Sequence, residues 1–209
     1  DNIDIVATEL DALANVDFST RQVRPVHRQL TMVRIGTSGA LQPDLIVGTP
    51  VIAEKAIGFD GVLNYYAGRN EVSDLDFEKA FCEHTQWNPL WAKPYVVDAD
   101  ASLVEQIGRD DMVRGNTISA VGFYGPQGRE VRLPLANPSL NRSIEEFCYS
   151  GRRVTNYEME SAPLQGLSRL LGHRAMTVCS IIANRVSHKA TPNYKTAMAD
   201  LIATVLDRI

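Results

Sequence analysis

The run from residue 175 to 182, Ala-Met-Thr-Val-Cys-Ser-Ile-Ile, reads as a continuous apolar strand of the kind buried on both faces, and no other stretch limits the fold so strongly. A strand hidden from water on both sides needs packed layers above and below its sheet. The remaining chain supplies them. Residues 3 to 14 carry Ile3, Val6, Ala7, Leu10, Leu13 and Ala14 at the spacing of an amphipathic helix, with Asp1 or Asn2 as a cap. After a polar, Pro25-containing connection over 21 to 28, residues 30 to 35 form a short apolar strand that runs into Gly36-Thr37-Ser38-Gly39. Residues 44 to 59 are predicted to be one long or bent strand, 60 to 70 a surface loop, 74 to 84 a helix, and 87 to 94 a turn pinned by Trp87 and Trp91. Strands are then expected at 95 to 97, 112 to 121 and 153 to 157, with helices at 101 to 108, 143 to 149, 160 to 171 and 194 to 209. Pro163 falls in the first turn of its helix, where a missing N–H costs nothing, and Gly172 ends that helix. This alternation predicts an α/β fold, a three-layer αβα sandwich around a mostly parallel, mixed central sheet, in one domain spanning 1–209.

Charge and cysteine usage narrow the function classes. A net charge of −4 argues against a general nucleic-acid binder, which needs clustered Lys and Arg. Cys82, Cys148 and Cys179 are an odd set without Cys-x-x-Cys spacing, so neither a disulfide framework nor a zinc site is expected, and a reducing, cytoplasmic setting fits. No segment approaches the roughly 20 apolar residues of a membrane helix, and the N-terminus lacks the plan of a signal peptide. His27, His84, His173 and His188 share no spacing and are expected in solvent-facing or loop positions, and Arg152 and Arg153 in a solvated turn. The loop with Tyr65, Tyr66 and Arg69 fits either a plain surface or a reach to a neighbouring subunit.

Three segments end predicted strands with glycine and polar residues, where ligands of such folds collect. In the first, Arg34-Ile35-Gly36-Thr37-Ser38-Gly39, an arginine that cannot shed its charge must meet an anion, a carboxylate or solvent. The Gly-flanked Thr-Ser pair offers backbone N–H groups for an anion nest. In the second, residues 123 to 129, Gln127 and Arg129 suit the carbonyl and N–H edge of a planar heterocycle, and Phe123 and Tyr124 its face; an aromatic-anchored surface loop is the alternative. In the third, Glu158-Met159-Glu160 places two carboxylates one residue apart at a strand-to-helix hinge, either as a solvated turn or as a bidentate holder of a cis-diol. Together these give an anion site, a heterocycle site and a diol site, the parts of a nucleoside plus phosphate.

The segments 34 to 40, 123 to 129 and 156 to 161 resemble, in order and with matching spacing, the motifs of the nucleoside phosphorylase family, in its uridine phosphorylase-like form. The resemblance implies reversible phosphorolysis of a nucleoside to free base and ribose 1-phosphate. It implies that Arg34 and Thr37 bind phosphate, and that Thr37, Met159, Glu160 and the less certain Glu158 hold the ribose. Phe123, Gln127, Arg129 and Arg185 would read the base, and Glu160 and Arg34 would carry the chemistry. Purine-specific relatives place an aspartate near the end of the strand that here reads Ile181-Ile182-Ala183-Asn184-Arg185; its absence favours uridine. No cofactor or catalytic metal is implied, inorganic phosphate being the co-substrate, though some members bind potassium at a subunit interface. A homo-oligomer, either a dimer or a hexamer assembled from dimers, is implied, with no nucleic-acid or membrane partner.

The family's N-terminal portion, with a Gly-Asp-Pro-x-x-Arg phosphate loop, has no counterpart in the chain. The expectation is that the 209 residues lack the opening strands and phosphate loop and are poorly active and poorly stable alone. A nucleosidase that hydrolyses the same bond and a non-catalytic nucleoside-binding homologue are the alternatives.

Overall fold

The computed structural model describes residues 2–191 and 193–209. Asp1, one of the two cap candidates, lies outside them. In chain order the elements are α1 (Asn2–Asn15), β1 (Val16–Asp17), β2 (Gln22–Val23), β3 (Thr31–Ala40), β4 (Pro50–Gly58), α2 (Arg69–Val72), α3 (Leu75–Thr85), β5 (Tyr95–Asp98), α4 (Ala101–Gly108) and β6 (Val113–Ser119). They continue with α5 (Leu140–Glu146), β7 (Cys148–Tyr149), β8 (Arg152–Glu158), α6 (Ser161–Leu170), β9 (Arg174–Asn184), β10 (Lys189–Ala190) and α7 (Lys195–Arg208). Among the described residues no helix is long and apolar enough to cross a membrane.

One mixed sheet runs β10-β9-β3-β8-β6-β4-β5, with β7 beside β8. The long ladders are parallel: β3 with β9, β4 with β6, and β6 with β8. Two short antiparallel ladders connect these groups, β3 with β8 at Gly39–Tyr157 and Ala40–Asn156, and β4 with β9 from Pro50–Ser180 to Ile52–Val178. Because β4 pairs with β9 as well, β9, β3, β8, β6 and β4 close into a ring. Register slips at Ser38/Gly39, Ala53/Lys55 and Asn116/Thr117 supply the bends that closure needs, since an extra residue kinks its strand and increases the local twist.

Helices cover both sides. Leu103, Val104 and Ile107 of α4 and Leu201 and Val205 of α7 pack with Met176 and Val178 of β9. Phe77 and Phe81 of α3 and Ile144 of α5 pack with Ile118, Val154 and Tyr157 on another face. A third cluster joins Ala162 and Leu167 of α6 to Ala7 of α1 and Val97 of β5. The expected central strand is β9, buried along most of its length because both its edges are paired and helices cover it. Asp74 and Asp100 cap α3 and α4, accepting from the N–H groups of Phe77 and Leu103 at 3.0 Å each.

Several expectations need correction. The strand predicted over 44 to 59 begins only at Pro50, because residues 42 to 49 fold into turns, with Leu45 N–H donating to Gln42 O and Gly48 at φ 93°. The helix expected at 143 to 149 starts three residues earlier, and its last two positions form β7. The 21 to 28 connection contains β2, which pairs with β1. Helix α1 forms as read, yet its apolar stripe is mostly uncovered: Ala7 is buried, but Val6, Leu10 and Leu13 are 46%, 41% and 64% exposed. Arg152 and Arg153 are not a solvated turn but the start of β8, where Arg152 pairs with Glu54 and Arg153 with Asp44 at 2.8 Å. Arg69 is drawn inward to the buried Glu78 at 2.8 Å.

Gly115 sits where β6 passes β8, and a Cβ there would lie 2.2 Å from Thr155 Cγ2 and 2.4 Å from Thr155 Oγ1. Thr155 has little freedom to withdraw, since its hydroxyl lies 3.0 Å from Asn116 O and 2.7 Å from Asn156 Oδ1, either of which can take its one proton. Gly115→Ala is therefore expected to lower unfolding free energy by about 1–3 kcal/mol through overpacking, read as a lower urea midpoint at unchanged slope.

Candidate active site

The strand β3 carries Arg34 beside the β8–α6 junction. The ladder between β3 and β8 stops at Gly39 and Tyr157, so the residues after Tyr157 lie alongside the stretch of β3 that precedes Gly39. There Arg34 Nη1 stands 3.1 Å from Glu158 Oε2 and donates to Cys179 Sγ at 3.3 Å, while Nη2 donates to Glu160 Oε2. Gly36 makes this possible, because the guanidinium folds back over it and a Cβ would lie 2.7 Å from Nη1. Burial opposes the Arg34 charge, but Glu158, Cys179 and Glu160 outweigh it and hold the guanidinium above its usual range. Burial pushes the Glu160 carboxyl up despite Arg34 beside it, and the Cys179 thiol up to about 12.

The two glutamates have different surroundings. The Glu158 side chain is 1% exposed and accepts from Ser119 Oγ at 2.6 Å, from Glu160 N–H at 2.9 Å, and from Ser161 N–H at 2.9 and 3.1 Å. Its oxygens are taken by the protein, which removes it from the ribose role the resemblance implied. The Glu160 side chain is 34% exposed and has only Arg34 as a side-chain partner among the described residues. The anion nest expected at residues 36 to 39 is also corrected: β3 continues through them to Ala40, so the backbone is extended rather than curled around a site. Alternation along β3 puts Thr37 on the opposite face from Arg34, level with Ser180, so the structure does not join the Thr37 side chain to the arginine cluster. Met159 lies half-buried between the two glutamates.

The predicted base readers do meet. Gln127 is buried, and its Oε1 accepts from Arg129 Nη1 and Arg185 Nη2 at 2.7 Å each; Arg185 Nη1 donates to its main-chain oxygen. Two donors on one oxygen fix which way the amide points, so its Nε2 is the end left for a ligand. Asn141 of α5 donates to Gln127 O at 3.1 Å and accepts from Tyr157 O–H at 3.0 Å. Arg129 lies 3.9 Å over the ring of Phe123, and Arg185 4.7 Å over that of Tyr157. Burial and the neighbouring Arg129 lower Arg185 to about 10. A cavity of about 880 Å³ adjoins this end, lined by Arg129 together with Phe59, Trp87, Trp91, Tyr124 and Leu133. Trp87 and Trp91, read as loop pins, therefore also wall a cavity. Neither it nor a crevice of about 450 Å³ among Glu54, Asp98 and Gln165 is lined by Arg34 or Glu160.

Ser119 and Asn141 escaped the sequence reading, and Cys179 entered it only as one of three unpaired cysteines and Asn184 only within the strand end that lacks an acid, since single polar residues in apolar or loop stretches carry little local signal. Asn184, at the end of β9, uses its amide completely. It donates to Gln42 O and Leu45 O at 2.8 Å each and accepts from Val186 N–H at 3.0 Å and Ser187 N–H at 2.8 Å. Of the four histidines, His27, His84 and His188 are exposed as expected, but His173 is buried and stacks on His27. Asp11, His27 and His173 offer ligand atoms within 4.8 Å of one another. However, Leu30 N–H points at His173 Nδ1 at 3.2 Å, so the proton resides on Nε2, which donates to Asp11 at 3.0 Å. A nitrogen committed as donor is not a metal ligand, and the trio instead ties α1 to the turn before β9.

The model of the phosphorylase superfamily matches residues 14–208. The chain is 33% identical over 165 residues to the uridine phosphorylase of Thermococcus kodakarensis, covering 76% of this chain and 50% of that protein. It is 31% identical over 173 residues to the uridine phosphorylase of Escherichia coli, covering 79% and 58%. The chain thus spans little more than half the length of these relatives. Among solved structures, a Trypanosoma brucei nucleoside phosphorylase described as showing uridine phosphorylase activity superposes with a TM-score of 0.86 at 25% identity, covering 99% of this chain and 76% of that one.

The saturated amide at the end of β9 yields a pH-dependent test. In Asn184→Asp one oxygen keeps the N–H groups of Val186 and Ser187, but the other, replacing the amide donor, would face the carbonyl oxygens of Gln42 and Leu45 in a buried place, and burial with that repulsion raises its folded-state pKa above the unfolded value of about 3.9. Stability is then retained near pH 4 and lost as pH climbs toward neutrality, by about 1–3 kcal/mol relative to the parent. Denaturant titrations at pH 4.5 and 7.5 read the difference, and an equal loss at both would contradict it.

Proposed function

The chain belongs to the phosphorylase superfamily, and from that premise we propose that the protein carrying it phosphorolyses a pyrimidine nucleoside, uridine foremost, to free base and ribose 1-phosphate. The reading is supported by two meetings of side chains: Arg34 with the part-exposed Glu160, and Gln127 with Arg129 and Arg185. Phosphate takes the half of the Arg34 fork that Glu160 holds in the free protein. Glu160, released, accepts from the ribose hydroxyls, and the side chain of Met159 packs against the sugar. A phosphate oxygen forms a bond to C1′ as the bond from C1′ to the base nitrogen breaks, and the electron pair leaves with the base. Charge growing on the base carbonyl meets the Gln127 amide and the two arginines, donors set before reaction and strengthened by it. Bringing both substrates into one site removes much of the entropic barrier.

Uridine is favoured over purines because position 184 is an asparagine whose amide is fully engaged, which leaves no acid there for a purine ring. Inorganic phosphate is the co-substrate, Thr37 lends its main chain to that end of the site, and a cytoplasmic setting agrees with the composition. A homo-oligomer is part of the proposal, supported by the exposed apolar side chains Ile5, Val6, Leu10 and Leu13 of α1.

Incubation of the protein with uridine should release uracil only when phosphate is present, followed by ultraviolet absorbance. Release without phosphate would favour a nucleosidase, and uridine binding without turnover a non-catalytic homologue. Arg34→Ala and Glu160→Ala should each lower kcat/KM by about 10²- to 10³-fold, the size of losing one preorganised contact to the transition state. Since burial raises the Glu160 pKa and diol binding needs its carboxylate, the acid limb of kcat/KM should lie above the ordinary glutamate value of about 4.3.

A further inference from the structure

We propose that Glu158 is a positioning residue: one buried carboxylate holds half of the Arg34 fork and the first turn of α6 together, which leaves the other half of the fork, and Glu160, to the ligands. This deepens the phosphorolysis reading above and rests on it.

The N-terminus of α6 shows why the arrangement works. Unbonded N–H groups at a helix start need acceptors, and the residue before the helix usually supplies one from its own side chain. Here that residue is Glu160, and its side chain makes no capping bond. Glu158 caps in its place, accepting from Glu160 N–H and Ser161 N–H. Ser119 Oγ accepts from Ala162 N–H at 2.8 Å while donating to Glu158 at 2.6 Å, and Pro163 has no N–H to satisfy. The backbone N–H groups of Glu160, Ser161 and Ala162 are thus served from β8 and β6, and the Glu160 side chain is spared for another task.

Arg34 is divided in the same way. Its Nη1 stands between Glu158 and Cys179, both buried, whereas its Nη2, among the described residues, meets the partly exposed Glu160 alone. When an anion displaces Glu160 from Nη2, the Nη1 side remains anchored, so the planar guanidinium keeps its orientation. A carboxylate has about four lone-pair sites, and Glu158 already serves Arg34, Ser119 and two backbone N–H groups. It acts on the reaction through Arg34, without touching substrate.

Glu158→Gln keeps the shape and removes the charge. In the protein carrying this chain, the variant should raise KM for phosphate at least tenfold and lower kcat, with KM for uridine changed less than about twofold. A residue that merely caps a helix would not separate the two substrates. In a background of Arg34→Met, adding Glu158→Gln should cost less than threefold further, because the positioned group is already gone. If Glu158→Gln fails to fold by circular dichroism, Ser119→Ala tests the same grip and should raise KM for phosphate about two- to fivefold. Equal losses for both substrates, or multiplicative losses in the double variant, would overturn the proposal. Calorimetry with inorganic phosphate separates it from the reaction itself. If the parent turns over no uridine but phosphate binding weakens tenfold in Glu158→Gln, the phosphorolysis reading fails and the positioning role stands; unchanged phosphate affinity refutes the positioning role.

Discussion

Arg34 carries a charge it cannot lose, on a strand whose neighbour β9 is buried along most of its length, and much of the site follows from how that charge is met. A guanidinium left unpaired in such a place would be strongly destabilising, since desolvation falls on the charged form with nothing to offset it. The offset comes from the turn between β8 and α6. That turn reaches Arg34 because β3 and β8 run antiparallel and pair at only two positions, so the chain after Tyr157 passes back along β3. Capping α6 and neutralising Arg34 then become one event, performed by Glu158 with Ser119 behind it.

The ring of strands explains how such distant parts of the chain come together. Closure through β4 and β9 sets the ends of β3, β6, β8 and β9 near one another, and the bulges at Ser38/Gly39 and Asn116/Thr117 bend the strands close to the residues that face the site. The two ends of the site differ in electrostatic character. Around Arg34, charges of opposite sign are matched. Around Gln127, Arg129 and Arg185 lie close together, and their mutual repulsion with burial lowers Arg185. An electropositive, partly desolvated end of this kind is suited to negative charge that develops on a departing group, in keeping with the proposed chemistry.

Much of the architecture was legible because periodicity and caps are local. The run through 175 to 182, the α4 span and the closing helix α7 all declare themselves by spacing. Errors fell where long-range contacts override local preference. Residues 42 to 49 look like strand by their Ile and Val content, but Gly48 and the demands of Asn184 turn them. The stripe on α1 announces a buried face, yet Val6, Leu10 and Leu13 find no cover within the described residues. His173 and Asp11 are 162 positions apart, so no reading of spacing could pair them.

The sequence by itself determined the alternation of strands and helices, the three polar segments and the chemical kinds of group at each, because those depend on residue type and near-neighbour spacing. Only the tertiary structure decided that the sheet closes on itself and that Thr37 faces away from Arg34, and it alone gives the physical ground on which the two glutamates flanking Met159, already ranked by the resemblance, part company. Glu158 and Glu160 are indistinguishable in composition and spacing. Their roles separate because one side chain points into a buried set of donors from β3, β6 and α6, where every lone pair is used, and the other points to the partly open side, where its partner can be exchanged.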